Sequence, residues 1–157
     1  VFSFNETQAA VLRRQGAALV KNVNDTTKRQ LASQLADATE AGESVDQMAK
    51  RIQSVFSARR KQARTIARTE ILKASQEAQV TSFEVSGVVE LKQWNTSMDD
   101  AVRDSHIPMD GETTGMREPF TLGDGELADA PGIGASGATL SAGNSINCRC
   151  FVTPVLK

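Results

Sequence analysis

The sequence predicts an α+β fold: an N-terminal helical bundle or extension, then a small loop-rich module built on a short antiparallel sheet. Three observations carry this. From about Asn5 to Ser86, Leu, Val, Ile and Ala recur at helical spacing, with capping signals at the breaks. After Gly87 the chain changes to short β-branched runs separated by Gly, Pro, Ser and Thr. At 157 residues it has the length of one domain, or of one domain with a helical extension. The division expected is 1–87 for the helical region and 88–157 for the small α+β module.

In the helical region, Asn5 is a candidate first cap with Glu6 in the first turn, followed by Val11, Leu12, Leu19 and Val23. Asp25 is a second cap candidate, ahead of Leu31, Leu35 and Ala38 at i, i+4 and i+7. Gly42 suits the left-handed residue after that helix. Ser44 and Gln47 have capping-box spacing, and Val45, Met48, Ile52, Val55 and Phe56 then share one face. A last helix spans about 58–86 with Ile66, Ile71, Leu72, Ala78 and Phe83, and Gly87 ends it.

In the second region, Val88–Trp94 reads as a strand, with Trp94 as a core anchor beneath the loops. Residues 99–105 suit a helical turn, and Arg117–Leu122 a further strand. The run through Gly132, Gly134, Gly137 and Gly143 reads as a long loop, and Cys148–Val155 as the closing strand.

Composition excludes several classes. A formal charge of −1 supplies no general pull toward nucleic acid or a membrane surface. No stretch approaches the roughly 20 apolar residues that a bilayer span requires. Two cysteines do not make a disulfide framework, and the expected compartment is reducing. The chain opens at Val1 with no basic-then-apolar leader, so a segment of a longer protein is expected. Gly132-Ile133-Gly134 lacks the spacing of a dinucleotide loop, and no Gly-Lys-Ser/Thr phosphate loop or His-Glu-x-x-His helix occurs.

Charge is nevertheless concentrated locally. Lys50, Arg51, Arg59, Arg60, Lys61, Arg64 and Arg68 fall within two adjacent helices, and Arg60, Arg64 and Arg68 stand at i, i+4 and i+8 on one face. Such a stripe grips phosphates or an acidic surface, or is simply a solvated face paired with nearby acids. No aromatic residues interleave with it, so base stacking is not indicated. Thr69-Glu70 beside it reads as intrahelical pairing rather than catalysis.

The richest chemistry lies late in the chain: Asp99, the sole histidine His106, Asp110, Cys148 and Cys150. Cys-x-Cys on a strand turns both thiols to one face, where they reach one metal more readily than they form a disulfide. Zinc would take His106 and one carboxylate as further ligands. The plainer reading makes the cysteines small buried apolar groups and His106 a hydrogen-bonded loop pin. Catalysis is the least favoured reading, since thiol chemistry needs a base held close to an activated sulfur, and His106 is the only histidine.

The order of landmarks completes the reading: Ala67-Arg68-Thr69-Glu70 on a long helix, Ser86-Gly87-Val88, Lys92-Gln93-Trp94-Asn95-Thr96, Asp99, Arg103, His106, Met109-Asp110-Gly111, Phe120, Pro131, Asn147-Cys148-Arg149-Cys150 and Pro154. Over residues 45 to 155 this succession resembles the phage Mu F-like head-morphogenesis family of minor head proteins. The last helix, about 58–86, then belongs to the family domain. The resemblance implies a structural part of a phage or prophage head at the portal vertex, present in the virion and, during assembly, in the host cytoplasm. Its implied partners are the portal protein, other head components and DNA, with no membrane and no small-molecule substrate. The alternative is a hydrolase or toxin-like enzyme domain using His106 with Cys148 and Cys150.

One departure from the family pattern is informative. Where many relatives carry Cys-x-x-Cys, this chain has Arg103 and His106. Arginine is a cation and cannot ligate zinc, so a four-cysteine site is replaced. Either Asp99 or Asp110 completes the metal site, or a charge and hydrogen-bond network stands in its place. The second is favoured, with Arg103 pairing Asp99 at i, i+4 and Asn147 tying the closing strand to the loop.

Overall fold

The computed structural model describes residues 3–18, 20, 21 and 23–157; the expectation for Leu19 lies outside them. The chain divides into two compact units, Val1–Ala78 and Gln79–Lys157. The fold is α+β, as the sequence predicts, with helices first and two small three-stranded antiparallel sheets after them.

The first unit holds α1 (Phe4–Gln15), α2 (Asp25–Glu40), α3 (Val45–Val55) and the first part of α4 (Arg60–Ser86). Two caps differ from expectation. Ser3, not Asn5, caps α1, and Asn24, not Asp25, caps α2 with its side chain accepting from Thr27 N–H at 2.8 Å. A cap residue must be extended while its oxygen reaches an N–H two or three residues on, a condition Ser3 and Asn24 meet. Ser44 and Gln47 form the expected reciprocal capping box on α3. Gly42 and Gly87 both take positive φ, 68° and 67°, after α2 and α4.

The core of this unit is largely aliphatic: Leu12, Leu31, Leu35, Met48 and Ile52, with small residues Ala9, Ala36, Ala49, Ala63 and Ala67 between helices. Gly16 has a specific role. A Cβ there would lie 2.5 Å from the Leu12 carbonyl oxygen and 3.3 Å from the Cα of Ala32, so only glycine fits against α2.

Glu70 is buried in this core and pairs with Lys73 at 3.8 Å, the intrahelical role expected of it. Burial raises its pKa above the ordinary 4.5, against the opposing pull of Lys73 and the Ala17 backbone N–H. The folded state thus holds this proton more tightly than the unfolded state. Stability falls as pH rises from 4.5 through the folded-state value, and the loss persists at neutral pH. Glu70→Gln keeps an acceptor for Ala17 and is expected to stabilise the chain at pH 7 by up to about 1 kcal/mol. Thermal melts at pH 7 and pH 4 check this: the gain should vanish at the lower pH, and a less stable variant at pH 7 would refute it.

In the second unit the first sheet has strand order β2-β1-β6, with β1 at Val89–Asn95, β2 at Thr113–Gly115 and β6 at Phe151–Leu156. Strand β1 alternates, burying Lys92 and Trp94, and Trp94 stands opposite Val152. Pro154 lies on the edge strand β6, where its missing N–H spares the ladder. The second sheet has order β3-β4-β5: Phe120–Thr121, Leu127–Ala130 and Ile133–Gly134.

Three expectations need correction here. The strand expected over 117–122 is only Phe120–Thr121, because the chain turns on both sides of it. Residues 99–105 form turns rather than helix, with Val102 N–H bonded to the Asp99 carbonyl and a 3-10 turn only at Ile107–Met109. The glycine-rich run is no long loop. It supplies β5, the 3-10 turn Ala135–Gly137 and helix α5 (Ala142–Ser145), and buries Leu140. Gly134 serves close packing: a Cβ there would lie 2.3 Å from the Ala138 carbonyl oxygen.

Candidate metal centre

Three segments of the second unit bring its chemistry together. Strand β1 delivers Trp94, which is fully buried. A tight turn, in which His106 N–H and Ile107 N–H both bond the Arg103 carbonyl at 2.8 and 3.0 Å, delivers His106. The segment after α5 delivers Cys148 and Cys150. Asn147, at φ 54°, reverses the chain there; asparagine is among the few residues that tolerate this conformation. The cysteines precede β6 instead of lying within it, which corrects the expected strand. Their alternation holds all the same: Cys148, Cys150 and Val152 are buried while Arg149 and Phe151 are exposed.

His106 Nδ1 lies 3.7 Å from Cys148 Sγ and 3.5 Å from Cys150 Sγ. The three donor atoms fall within 4.8 Å of one another and all three residues are buried. The thiols are reduced. Trp94 packs edge-on against both His106 and Phe120, each at 5.3 Å between centroids and 77° between planes. Among the described residues, Ser97 Oγ and His106 Nε2 are buried without a hydrogen-bond partner, while the Trp94 indole acts on the Cys150 sulfur.

The two thiols behave as a pair. The hydrogen bond from Cys150 holds the Cys148 sulfur down to about 4, with His106 assisting and burial opposing. The same hydrogen bond, with burial, pushes Cys150 far up, while the Trp94 indole and the charge of Arg103 pull the other way. Cys148 is therefore the readier of the two to lose its proton, and a thiolate is the form that binds metal.

The donors fit zinc. Tetrahedral zinc, with bonds of about 2.3 Å to sulfur and about 2.0 Å to nitrogen, places each sulfur roughly 3.6 Å from the nitrogen. The observed 3.5 and 3.7 Å bracket that spacing. Cys148, Cys150 and His106 would hold the ion, which would cross-link the turn to the closing segment.

The remaining candidates lie elsewhere. Asp99 does not pair with Arg103: its carboxylate takes Arg149, in an exposed ion pair, and Arg103 donates to the Ile146 carbonyl. Without a helix over 99–105 the i, i+4 geometry that pair required never forms. Asp110 accepts from Thr96 N–H and Oγ at 2.8 and 3.0 Å and fixes the end of β1. Neither carboxylate joins the His106, Cys148 and Cys150 group. In the first unit, Arg64 pairs with Asp46 at 3.0 Å, while Arg60 and Arg68 are exposed.

Two features escaped the sequence reading. Lys92 is buried, donating to the Asp129 carbonyl at 2.7 Å with its Nζ 5.4 Å from the centre of the Phe120 ring. Burial lowers its pKa, opposed by Asp129, Glu84 and Glu118. A lysine on the buried face of an alternating strand was the available signal. The second is Asn144, also buried. Its amide donates to both Asp124, at 2.7 Å, and Glu126, and its carbonyl accepts from Ser105, the neighbour of His106. Only a lone Asn in a glycine-rich run marked it.

Comparison with known proteins bears on this fold and this group of side chains. The chain matches the family described as Phage Mu protein F like protein over residues 29–153. It is 33% identical over 125 residues to "Uncharacterized protein YqbB" of Bacillus subtilis (strain 168), which covers 78% of this chain and 40% of that protein. It is 29% identical over 152 residues to "Minor head protein GP7" of Bacillus phage SPP1, covering 96% of this chain and 45% of that protein. The chain thus spans less than half the length of the curated relatives it matches. No solved structure matches it. With most of the chain matched, including Trp94, His106 and both cysteines, this protein belongs to the phage Mu protein F-like family.

Proposed function

We propose that this chain is a structural module of a phage or prophage minor head protein, acting in head morphogenesis, with its second unit pinned by zinc on His106, Cys148 and Cys150. The observation that carries the head role is the family match together with similarity to a minor head protein along nearly the whole chain. Burial of all three donors supports a structural ion over a catalytic one, which would need a position open to substrate. Its partners are other head components at the portal vertex, and its place is the virion.

Plasma emission and native mass spectrometry, before and after chelation, test the metal. One zinc per chain is expected, with loss of near-UV dichroism from Trp94 on removal. A folded, metal-free chain would overturn the zinc reading and leave the thiol, imidazole and indole cluster as a purely packed core. For the head role, mass spectrometry of purified heads should find the full-length protein in a few copies; its absence from heads would refute that role.

A DNA contact is the second reading, favoured by the exposure of Arg60 and Arg68 on one helix face. Arg64, paired with Asp46, contributes less. Duplex binding followed by anisotropy should weaken as salt rises, and charge reversal at Arg60, Arg64 and Arg68 should flatten that dependence. No binding even at low salt would remove this reading.

A further inference from the structure

From residue 59 to residue 68 the chain carries Arg59, Arg60, Lys61, Arg64 and Arg68 and no acid. We propose that Arg60, Lys61, Arg64 and Arg68 form one face of α4 that grips the phosphate backbone of duplex DNA, and that Asp46 of α3 partly masks it. This rests on the DNA reading above and deepens it, by adding Lys61 to the face and giving Asp46 control of its strength.

The helix sets the placement. At about 3.6 residues per turn, the seven residues from Lys61 to Arg68 make nearly two full turns, so these two cations stand one above the other. Arg60, Arg64 and Arg68 climb beside them in steps of about 6 Å, close to the distance between neighbouring phosphates on one strand. Ala63, Ala67 and Ala74 turn inward to the core, which leaves Arg60, Lys61 and Arg68 exposed. No aromatic residue occurs between Phe56 and Phe83. Unpaired bases would therefore find nothing to stack on, and a duplex held by its backbone is the form that fits.

Charge supplies the rest. Elsewhere in this unit Arg13, Arg14, Arg51 and Lys73 each meet a carboxylate. On this face, among the described residues, only Arg64 does, with Asp46 at 3.0 Å. Helix stability does not account for the others, because a first turn favours acids and that of α4 has none. A row of guanidiniums suits phosphates, which arginine holds through two hydrogen bonds at once. The Asp46 carboxylate takes the place at Arg64, in the middle of the row, that a phosphate would take. Surface ion pairs are weak, so this mask loosens the grip without abolishing it. A loose, sequence-blind hold lets DNA slide along the face.

Anisotropy of a fluorescently labelled mixed-sequence duplex at low salt tests this on the intact chain. Asp46→Asn is expected to tighten binding about 2- to 5-fold, the range that a surface ion pair can set. Asp46→Glu should stay near wild type and guards against a variant that misfolds. In an Arg64→Gln background, Asp46→Asn should change affinity by less than about 1.5-fold. Lys61→Gln should lower the slope of log affinity against log salt by about 0.9, the value of one phosphate contact.

Equal tightening by Asp46→Asn with and without Arg64 would make Asp46 a distant charge and overturn the mask. An unchanged salt slope in Lys61→Gln would overturn the face. Polyglutamate that binds more tightly than a duplex of equal charge would assign the face to an acidic protein and overturn the proposal. Duplex binding that none of these variants alters would sink this inference and leave a DNA contact elsewhere. No duplex binding by any of them would remove the DNA reading itself.

Discussion

Trp94→Ala is expected to destabilise the second unit by about 3–5 kcal/mol, the range for removing a fully buried large aromatic. Trp94 is the largest completely buried side chain, and it makes the edge-on contacts to both His106 and Phe120. Its loss opens a cavity that Val152, across the sheet, is too short to fill. At about 4–8 °C per kcal/mol for a unit of this size, the melting temperature should fall by more than 10 °C. Far-UV dichroism is the right probe, because the variant has no tryptophan to report by fluorescence. Trp94→Phe should lose much less, retaining the ring. A loss below 1 kcal/mol for Trp94→Ala would mean that the indole does not organise the core around His106.

Asn144→Ala is expected to cost about 1–2 kcal/mol, the loss of a buried side chain's hydrogen bonds discounted because the carboxylates it meets are open to solvent. The Asn144 amide is shared by the carboxylates of Asp124 and Glu126. Without it the two negative charges face each other, and the Ser105 hydroxyl loses its acceptor.

This variant also carries a pH signature. Hydrogen bonding by Asn144 is the leading cause that holds both carboxyls below their ordinary values of 3.8 and 4.5. Groups that titrate lower when folded contribute stability above their unfolded values, and that contribution is lost as pH falls through the folded ones. Wild-type stability should therefore decline from about pH 4.5 downward. In Asn144→Ala the decline should be shallower, because the largest cause of both shifts is gone while the Ser141 and backbone bonds remain. Denaturant midpoints at pH 3, 4, 5 and 7 would show this. Parallel acid profiles for the two proteins would sink the idea that Asn144 sets them.

Much of the helical unit was legible in the sequence because its determinants are local. The Ser44 and Gln47 capping box, the positive-φ glycines at 42 and 87 and the buried face of α3 all depend on residues a few positions apart. Even the two misplaced caps missed by only one or two residues. Strand β1 was legible for the same reason, through alternation that ends in Trp94. The common facing of Cys148 and Cys150 also followed from alternation, although the paired strand starts only at Phe151. The glycine-rich run was read as a loop because composition alone does not reveal that Gly134 is pressed against Ala138.

The sequence by itself determined the family, the α+β class, the helices and the candidate donors His106, Cys148 and Cys150, since these reside in residue type and short spacing. Only the tertiary structure decided which groups meet. It gave Asp99 to Arg149, 50 residues away, and carried Arg103 to the Ile146 carbonyl, 43 away. It also closed His106 on two thiols more than 40 residues along the chain. It buried Lys92 and set Asn144 between two carboxylates. Side-chain partners at such separations depend on the path of every intervening turn, and that path is fixed by packing rather than by any local preference.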